Sequence, residues 1–250
     1  MVIRAIFKLT GRSIFARRPH RERLIRMKPM TEKHLEILRR HMVDMIGIHA
    51  DLASDELGKA SLDERVMEVI RRVPRHLFVP GAVAPYAYQD MPLPIGFDKT
   101  VSQPFMVALM TDLLDPQPED SVLEIGTGVG YQTAILAELA GQIWSVEIVE
   151  EFARHAETLL KHFGLSNVGI RVGDGTRGWS EHAPFDKVMA TVAPKKTPSA
   201  WLDQLKPGGR MVVPVGGKEE QWLTVIEKDM AGEHESRKII PVRFSQLETV

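Results

Sequence analysis

Val122-Leu123-Glu124-Ile125-Gly126-Thr127-Gly128-Val129-Gly130-Tyr131 is an apolar run that breaks into three alternating glycines and then resumes as a helix. Val122, Leu123 and Ile125 read as a short buried parallel strand, and residues 131–140 (YQTAILAELA) combine helical spacing with strong helix formers. The glycines between them permit positive φ and let a ligand approach the backbone with no Cβ in the way. Strand, glycine turn and helix together make a nucleotide-type pocket at the carboxyl end of a sheet. The spacing is G-x-G-x-G, neither the dinucleotide fingerprint nor a P-loop, and no Gly-Lys-Ser/Thr follows, which points away from NAD and ATP. On the glycines alone, a tight turn in an ordinary α/β protein is the competing reading.

Downstream, residues 142–148 (QIWSVEI) read as a second strand that ends on Glu147 and Ile148. An acidic side chain at that tip can accept both hydroxyls of a ribose, as a neutral one could not. A helix over 152–163 and a third strand over 168–172 lead to Gly173-Asp174-Gly175, where Asp174 can accept from an adenine amino group. Either acid alone also reads as a solvated turn carboxylate. At the tips of successive strands beside one glycine loop they form a ligand constellation. A fourth strand (186–192), a helix (201–205), a turn at 206–210 and a strand (211–215) follow, then strands at 221–227 and 238–244 around a hairpin turn at 229–235. The expected fold is α/β: a doubly wound, mostly parallel sheet with an antiparallel C-terminal edge.

Upstream, Thr31 offers a cap for a helix carrying Leu35, Leu38, Met42, Met45 and Ile46, residues 51–59 read as a loop, and a second helix runs from a cap at Ser61 to near Pro74. Residues 78–104 change texture to Pro, Gly and aromatics, a long irregular stretch of the kind that is usually functional, before a helix over 105–114. The expected organisation is a basic arm (1–30), a helical and loop segment on the substrate side (31–104), and a cofactor-binding core (105–250).

The 250 residues allow one large α/β domain with an accessory segment, and a formal net charge of -1 gives no global sign of a nucleic-acid binder. Residues 1–41 nevertheless hold twelve Lys or Arg against three Asp or Glu. Apolar residues alternate with basic ones near Ile3, Ile6 and Phe7, which permits contact with an anionic membrane surface; a disordered basic arm is the favoured reading. The absence of cysteine excludes a disulfide framework, a thiolate zinc site and a cysteine nucleophile. None of the nine histidines forms an H-E-x-x-H spacing, so no metal is expected. No apolar run reaches membrane-spanning length, and a cytoplasmic location is expected. Trp144, Trp179, Trp201 and Trp222 read as packing residues.

With these residues assembled, the chain resembles the class I S-adenosylmethionine-dependent methyltransferases, and more narrowly the protein-L-isoaspartate (D-aspartate) O-methyltransferases. VLEIGTGVGYQ, RVGDGTRGW and LKPGGRMVVPVG are similar to that family's cofactor blocks, and VPRHLFVP (73–80), LPIGFDKTVSQP (93–104) and PVRF (241–244) are the discriminating matches. The resemblance covers residues 61–247. It implies S-adenosylmethionine as cofactor, a Rossmann-like core, and a peptide or protein bearing isoaspartate as partner. Ser102 takes the position of the serine at the methyl-transfer site. Cofactor residues are implied at Thr100, Gln103, Glu124, Gly126, Thr127, Gly128, Gly130, Glu147, Ile148, Asp174 and Gly175, with Glu147 on the ribose and Asp174 and Gly175 at the adenine. Thr100, Ser102, Val192, Ala193, Val242 and Arg243 are implied on the substrate side.

Asp98-Lys99 stands where the family has Gly-Gln, and Thr191-Val192 where it has small alanines; these departures are expected to touch only the substrate side. They leave open a related carboxylate methyltransferase with another target, and a cofactor-binding scaffold without catalysis is a further alternative. Nucleic-acid methylation is not expected, because cysteine is absent and residues 190–194 lack the Asn/Asp-Pro-Pro-aromatic pattern.

Overall fold

Seven strands form one sheet, and the apolar run that opens the glycine loop is one of its interior strands. The computed structural model describes residues 30–249, so the basic arm lies outside the described residues except for Met30. In chain order the helices are α1 (Glu32–Leu52), α2 (Ser54–Leu57), α3 (Glu64–Arg72), α4 (Pro104–Leu114), α5 (Tyr131–Ala137), α6 (Glu150–His162) and α7 (Ser199–Asp203). The strands are β1 (Leu93–Gly96), β2 (Lys99–Val101), β3 (Ser121–Ile125), β4 (Gln142–Glu147), β5 (Val168–Val172), β6 (Phe185–Ala190), β7 (Leu205–Gly216), β8 (Gln221–Lys228) and β9 (His234–Pro241).

The sheet runs β5-β4-β3-β6-β7-β8-β9. Pairs from β5 to β7 are parallel, and β8 and β9 add antiparallel at the edge, as the patterning predicts. Along β3, side chains alternate between two cores. Val122 faces the layer built by α1, α3, α4, α5 and α6, while Leu123 and Ile125 face a thinner layer around the fully buried Trp201. The tryptophan at 201 is thus packing, as read from the sequence.

Nine of the eleven residues of α4 are buried, which makes it an interior helix between the α1–α3 layer and the sheet. Its Asp112 is stabilised there by Lys59 Nζ at 2.7 Å and by the Asp63 N–H at 2.7 Å. A buried charge is tolerable only when paired in this way. The last turn of α4 is therefore anchored from inside the molecule.

Several boundaries differ from the sequence reading. Residues 51–59 are not a plain loop: α1 continues to Leu52 and α2 follows, ended by Gly58 in the left-handed region. Asp63, not Ser61, caps α3, its carboxylate accepting from the Arg65 N–H at 2.8 Å. The irregular stretch 78–104 contains a hairpin of β1 and β2, whose two-residue turn puts Phe97 and Asp98 at φ +51° and +54°. Turns of that kind favour Asn-Gly, and Phe-Asp hides the signal. β7 starts at Leu205, absorbing the expected turn at 206–210 through a bulge against β6. β9 begins at His234 rather than 238, because an exposed, polar edge strand carries little apolar periodicity.

Candidate active site

β3 and β6 lie side by side, yet the chain leaves β3 for β4 and reaches β6 only after β5. Their carboxyl ends therefore flank the switch point where α/β sheets bind ligands. Gly126 follows β3 at φ +94°, and a Cβ on it would stand 2.4 Å from Thr191 Oγ1. Thr191, directly after β6, donates its hydroxyl to the Gly126 carbonyl at 2.6 Å. Only glycine fits between that hydroxyl and the cavity. Gly130, at φ +88°, precedes α5, and a Cβ there would press on Ala156 Cβ at 3.0 Å.

Glu147 ends β4 with its carboxylate spanned by two backbone donors, the Gly128 N–H on Oε2 at 2.7 Å and the Val149 N–H on Oε1 at 2.9 Å. The glycine loop and the start of α6 are tied to the same side chain. An open cavity of about 610 Å³ extends from it, lined by Thr100, Gly126, Gly128, Glu147, Ile148 and Gly175, with Ile95, Phe152, Val192 and Leu247 as apolar walls. A second cavity, of about 1080 Å³, is lined by Thr100, Ser102, Gln103, Val242 and Arg243. A recess of about 370 Å³ behind the loop joins Ser102 to Thr127, Gly128 and Gln132. Thr100 and Thr191 border all three.

Four expected residues do not reach these cavities. Glu124 is fully buried beneath the loop, where its Oε2 accepts from the hydroxyls of Thr133 and Ser145, each at 2.6 Å, and Ser145 Oγ also lies 2.6 Å from Thr127 Oγ1. It braces the loop from below, because it lies level with Ser145, two residues short of the strand tip where Glu147 meets the cavity. Gly130 serves the packing of α5 on α6. Asp174 Oδ1 accepts from the N–H of Thr176 at 2.9 Å and from its hydroxyl at 2.7 Å, capping a turn, so that Gly175 lines the cavity instead. Ala193 acts through its backbone: its N–H donates to Ser245 O at 2.8 Å, and its carbonyl accepts from the Leu247 N–H at 2.9 Å.

The sequence reading missed what those last bonds hold. Residues 245–248 run beside Ala193 and line the first cavity. Trp201 Nε1 donates to Gly175 O at 2.8 Å, setting the cavity floor. Buried Gln221 fixes Phe244 from both sides, accepting from its N–H at 2.7 Å and donating to its carbonyl at 3.1 Å, which orients Val242 and Arg243. These contacts join residues distant in sequence.

Burial lifts the Glu124 carboxyl to about 7, with the nearby Glu147 charge acting in the same direction and the bonds from Ser145 and Thr133 opposing. A carboxyl whose folded pKa exceeds its ordinary 4.5 contributes stability that is full below pH 4.5 and is lost as pH rises through about 7. Glu124→Gln removes that loss. Its melting temperature relative to the parent chain is expected to rise between about pH 5 and pH 8, and a difference independent of pH would contradict the assignment.

The sequence profile of the protein-L-isoaspartate(D-aspartate) O-methyltransferase family (PCMT) matches residues 51–249. The chain belongs to this family. Among curated family proteins, protein-L-isoaspartate O-methyltransferase 1 of Polaromonas sp. strain JS666 is 54% identical over 219 residues, covering 88% of this chain and 93% of that one. Protein-L-isoaspartate O-methyltransferase 2 of Syntrophobacter fumaroxidans is 52% identical over 210 residues, covering 84% and 85%. A solved protein-L-isoaspartate O-methyltransferase superposes with a TM-score of 0.70 at 26% identity, over 83% of this chain and 65% of that one. The same fold recurs in a Plasmodium falciparum protein solved in complex with S-adenosyl-L-homocysteine, with a TM-score of 0.65 at 20% identity, over 74% of this chain and 91% of that one.

The departures from the family pattern do not stay on the substrate side. Lys99 and Val192 line the first cavity, Thr191 borders both, and Lys99 forms an ion pair with Glu248 across the rim. Among the described residues, no group of three His, Cys, Asp or Glu could hold a metal ion, and no helix is long and apolar enough to cross a membrane.

Proposed function

We propose that this chain transfers a methyl group from S-adenosyl-L-methionine to the α-carboxylate of L-isoaspartyl residues in damaged proteins and peptides. The observation that carries the proposal is the meeting, at Thr100 and Thr191, of the cavity beside Glu147 and the glycine loop with a second cavity that holds Ser102.

The first cavity fits the cofactor. Glu147 presents a fixed carboxylate to a ribose diol, Ile148, Phe152 and Leu247 present apolar surface to an adenine, and Gly126 and Gly128 leave their backbone open. When bound, S-adenosylmethionine supplies a methyl group activated on a sulfonium.

The nucleophile is a carboxylate, ionised at neutral pH, so no side chain has to remove a proton. Ser102 orients that carboxylate by donating a hydrogen bond and does not itself attack. Thr100 and Thr191 wall the junction, and Val242 and Arg243 form the side of the groove that receives the peptide, where the guanidinium complements an anionic substrate. Nucleophile and sulfonium neutralise each other during transfer, so a water-poor junction favours the displacement, and alignment contributes up to about 7 to 11 kcal/mol. The methyl ester is a better acyl donor than the ionised carboxylate. The nitrogen of the next backbone amide can then attack the ester carbonyl and expel methanol, closing a succinimide that takes up water and opens in part to normal aspartate without further help.

Residues 31–104 serve as the substrate-side segment on the cofactor core, and the enzyme works in the cytoplasm. The zero-cysteine composition fits that setting.

Incubation with labelled S-adenosylmethionine and either an isoaspartyl peptide or its aspartyl twin tests the reading. Methyl ester is expected on the isoaspartyl peptide alone. Equal labelling of both would favour the second reading, a carboxylate methyltransferase of different target, which the unusual Lys99 and Thr191 at the cavity walls motivate.

A further inference from the structure

Ser102 sits between the end of β2 and Gln103, the residue that caps α4. Gln103 makes no side-chain cap for the helix. That role falls to Asp90, 5% exposed at its side chain, whose Oδ1 accepts from the Phe105 N–H at 2.7 Å. A carboxylate at a helix N-terminus satisfies a free donor and complements the positive end of the dipole. Asp90 Oδ2 accepts from Gln103 Nε2 at 2.9 Å and lies 2.5 Å from His49 Nδ1.

The chain around Asp90 is held from behind. Fully buried Arg75 donates to Ala87 O through Nε at 2.9 Å and to Met91 O through Nη2 at 3.5 Å, bracketing the aspartate in sequence. From the opposite side comes His49, in the last turn of α1, with its ring edge-on to Phe105 at 5.6 Å between centroids. His49 precedes the family-matched stretch, which starts at residue 51.

Resting on the methyltransferase reading of Ser102, we propose that His49 is a positioning residue for methyl transfer. Through Asp90 it fixes the start of α4 and thereby the place of Ser102. A buried carboxylate with two oxygens and three donors has one arrangement that serves all of them. Loss of the His49 donor frees Oδ2 to follow Gln103 alone, and the α4 entry shifts. α1, most of which precedes the matched stretch, is then part of the catalytic geometry rather than a passive cover.

Two variants separate the bond from the packing. His49→Phe keeps a ring against Phe105 and has no donor, whereas His49→Asn places an amide nitrogen near the Nδ1 position. On the isoaspartyl peptide, His49→Phe is expected to lower kcat about tenfold with peptide KM and cofactor Kd within about twofold, since small misplacements cost rate before binding. His49→Asn is expected to recover most of that kcat. Amide hydrogen exchange over residues 102–106, which needs no substrate, should speed up in His49→Phe and return in His49→Asn. Parental kcat in His49→Phe, or equal losses in both variants, would overturn the proposal, as would unchanged exchange. If the parent chain fails to methylate the peptide while exchange responds as expected, the substrate reading fails and the relay to α4 stands.

Discussion

Glu147→Ala is expected to weaken S-adenosylmethionine binding at least about 100-fold, because one substitution removes the ribose acceptor and unties the loop that forms the cavity. Two backbone donors, Gly128 N–H and Val149 N–H, lose their partner. Hydrogen bonds to a charged group contribute about 1.5 to 3 kcal/mol each, and about 1.4 kcal/mol is tenfold in affinity. Two bonds from the ribose hydroxyls to the carboxylate already reach the stated factor. Titration calorimetry with S-adenosylmethionine reads the effect directly, and an unchanged Kd would remove Glu147 from the site. Glu147→Gln should be intermediate, since one of its two acceptor oxygens becomes an NH2 donor that faces a backbone N–H.

Ser102→Ala has a different signature. Its kcat on an isoaspartyl peptide is expected to fall about 10- to 100-fold while cofactor Kd holds, since Ser102 borders the groove and the recess but not the nucleoside cavity. The loss stays below that of an oxyanion-hole donor, which costs about 10²- to 10³-fold. There the bond strengthens as charge develops. Here the carboxylate loses charge on the way to the ester, so the serine acts through orientation. A Ser102→Ala enzyme with parental kcat would contradict that role.

The contrast between Glu147 and Glu124 shows what the sequence could and could not reveal. Glu147 ends a strand next to a glycine loop, and the strand-end rule alone places its carboxylate at the cavity. Glu124 faces the same side of the sheet but sits deeper along it, level with Ser145, where Thr133 and Ser145 receive it. The family resemblance implies both as cofactor residues; depth along the strand separates them, since Glu124 pairs with Ser145, two residues short of Glu147. Asp174 was legible as a strand-tip acid, but its turn to Thr176 depends on local capping that no spacing announces. The doubly wound sheet and its antiparallel edge follow from the alternation of elements. Residues 245–248, Gln221 and His49 were invisible because each acts across a long sequence separation, through backbone pairing or a single side-chain bond. The β1–β2 hairpin was hidden for a simpler reason, a Phe-Asp turn where Asn-Gly would have marked it.

The departures at Lys99 and Thr191 gain meaning from their positions. Thr191 Oγ1 occupies the space beside Gly126 and bonds its carbonyl, so it shapes the glycine loop as much as the groove. Lys99 reaches Glu248 on the C-terminal segment and closes part of the cavity rim. Both residues belong to the walls shared by cofactor and substrate.

The central claim is that one junction, bounded by Thr100, Thr191 and Ser102, brings methyl donor and carboxylate together. A crystal structure with S-adenosyl-L-homocysteine and an isoaspartyl peptide tests it most directly. The account predicts ribose hydroxyls on Glu147, adenine against Ile148 and Gly175, the sulfur aimed at the groove, and the peptide α-carboxylate hydrogen-bonded to Ser102. A nucleoside bound away from Glu147, or a peptide carboxylate remote from Ser102 in the presence of correctly placed cofactor, would contradict it.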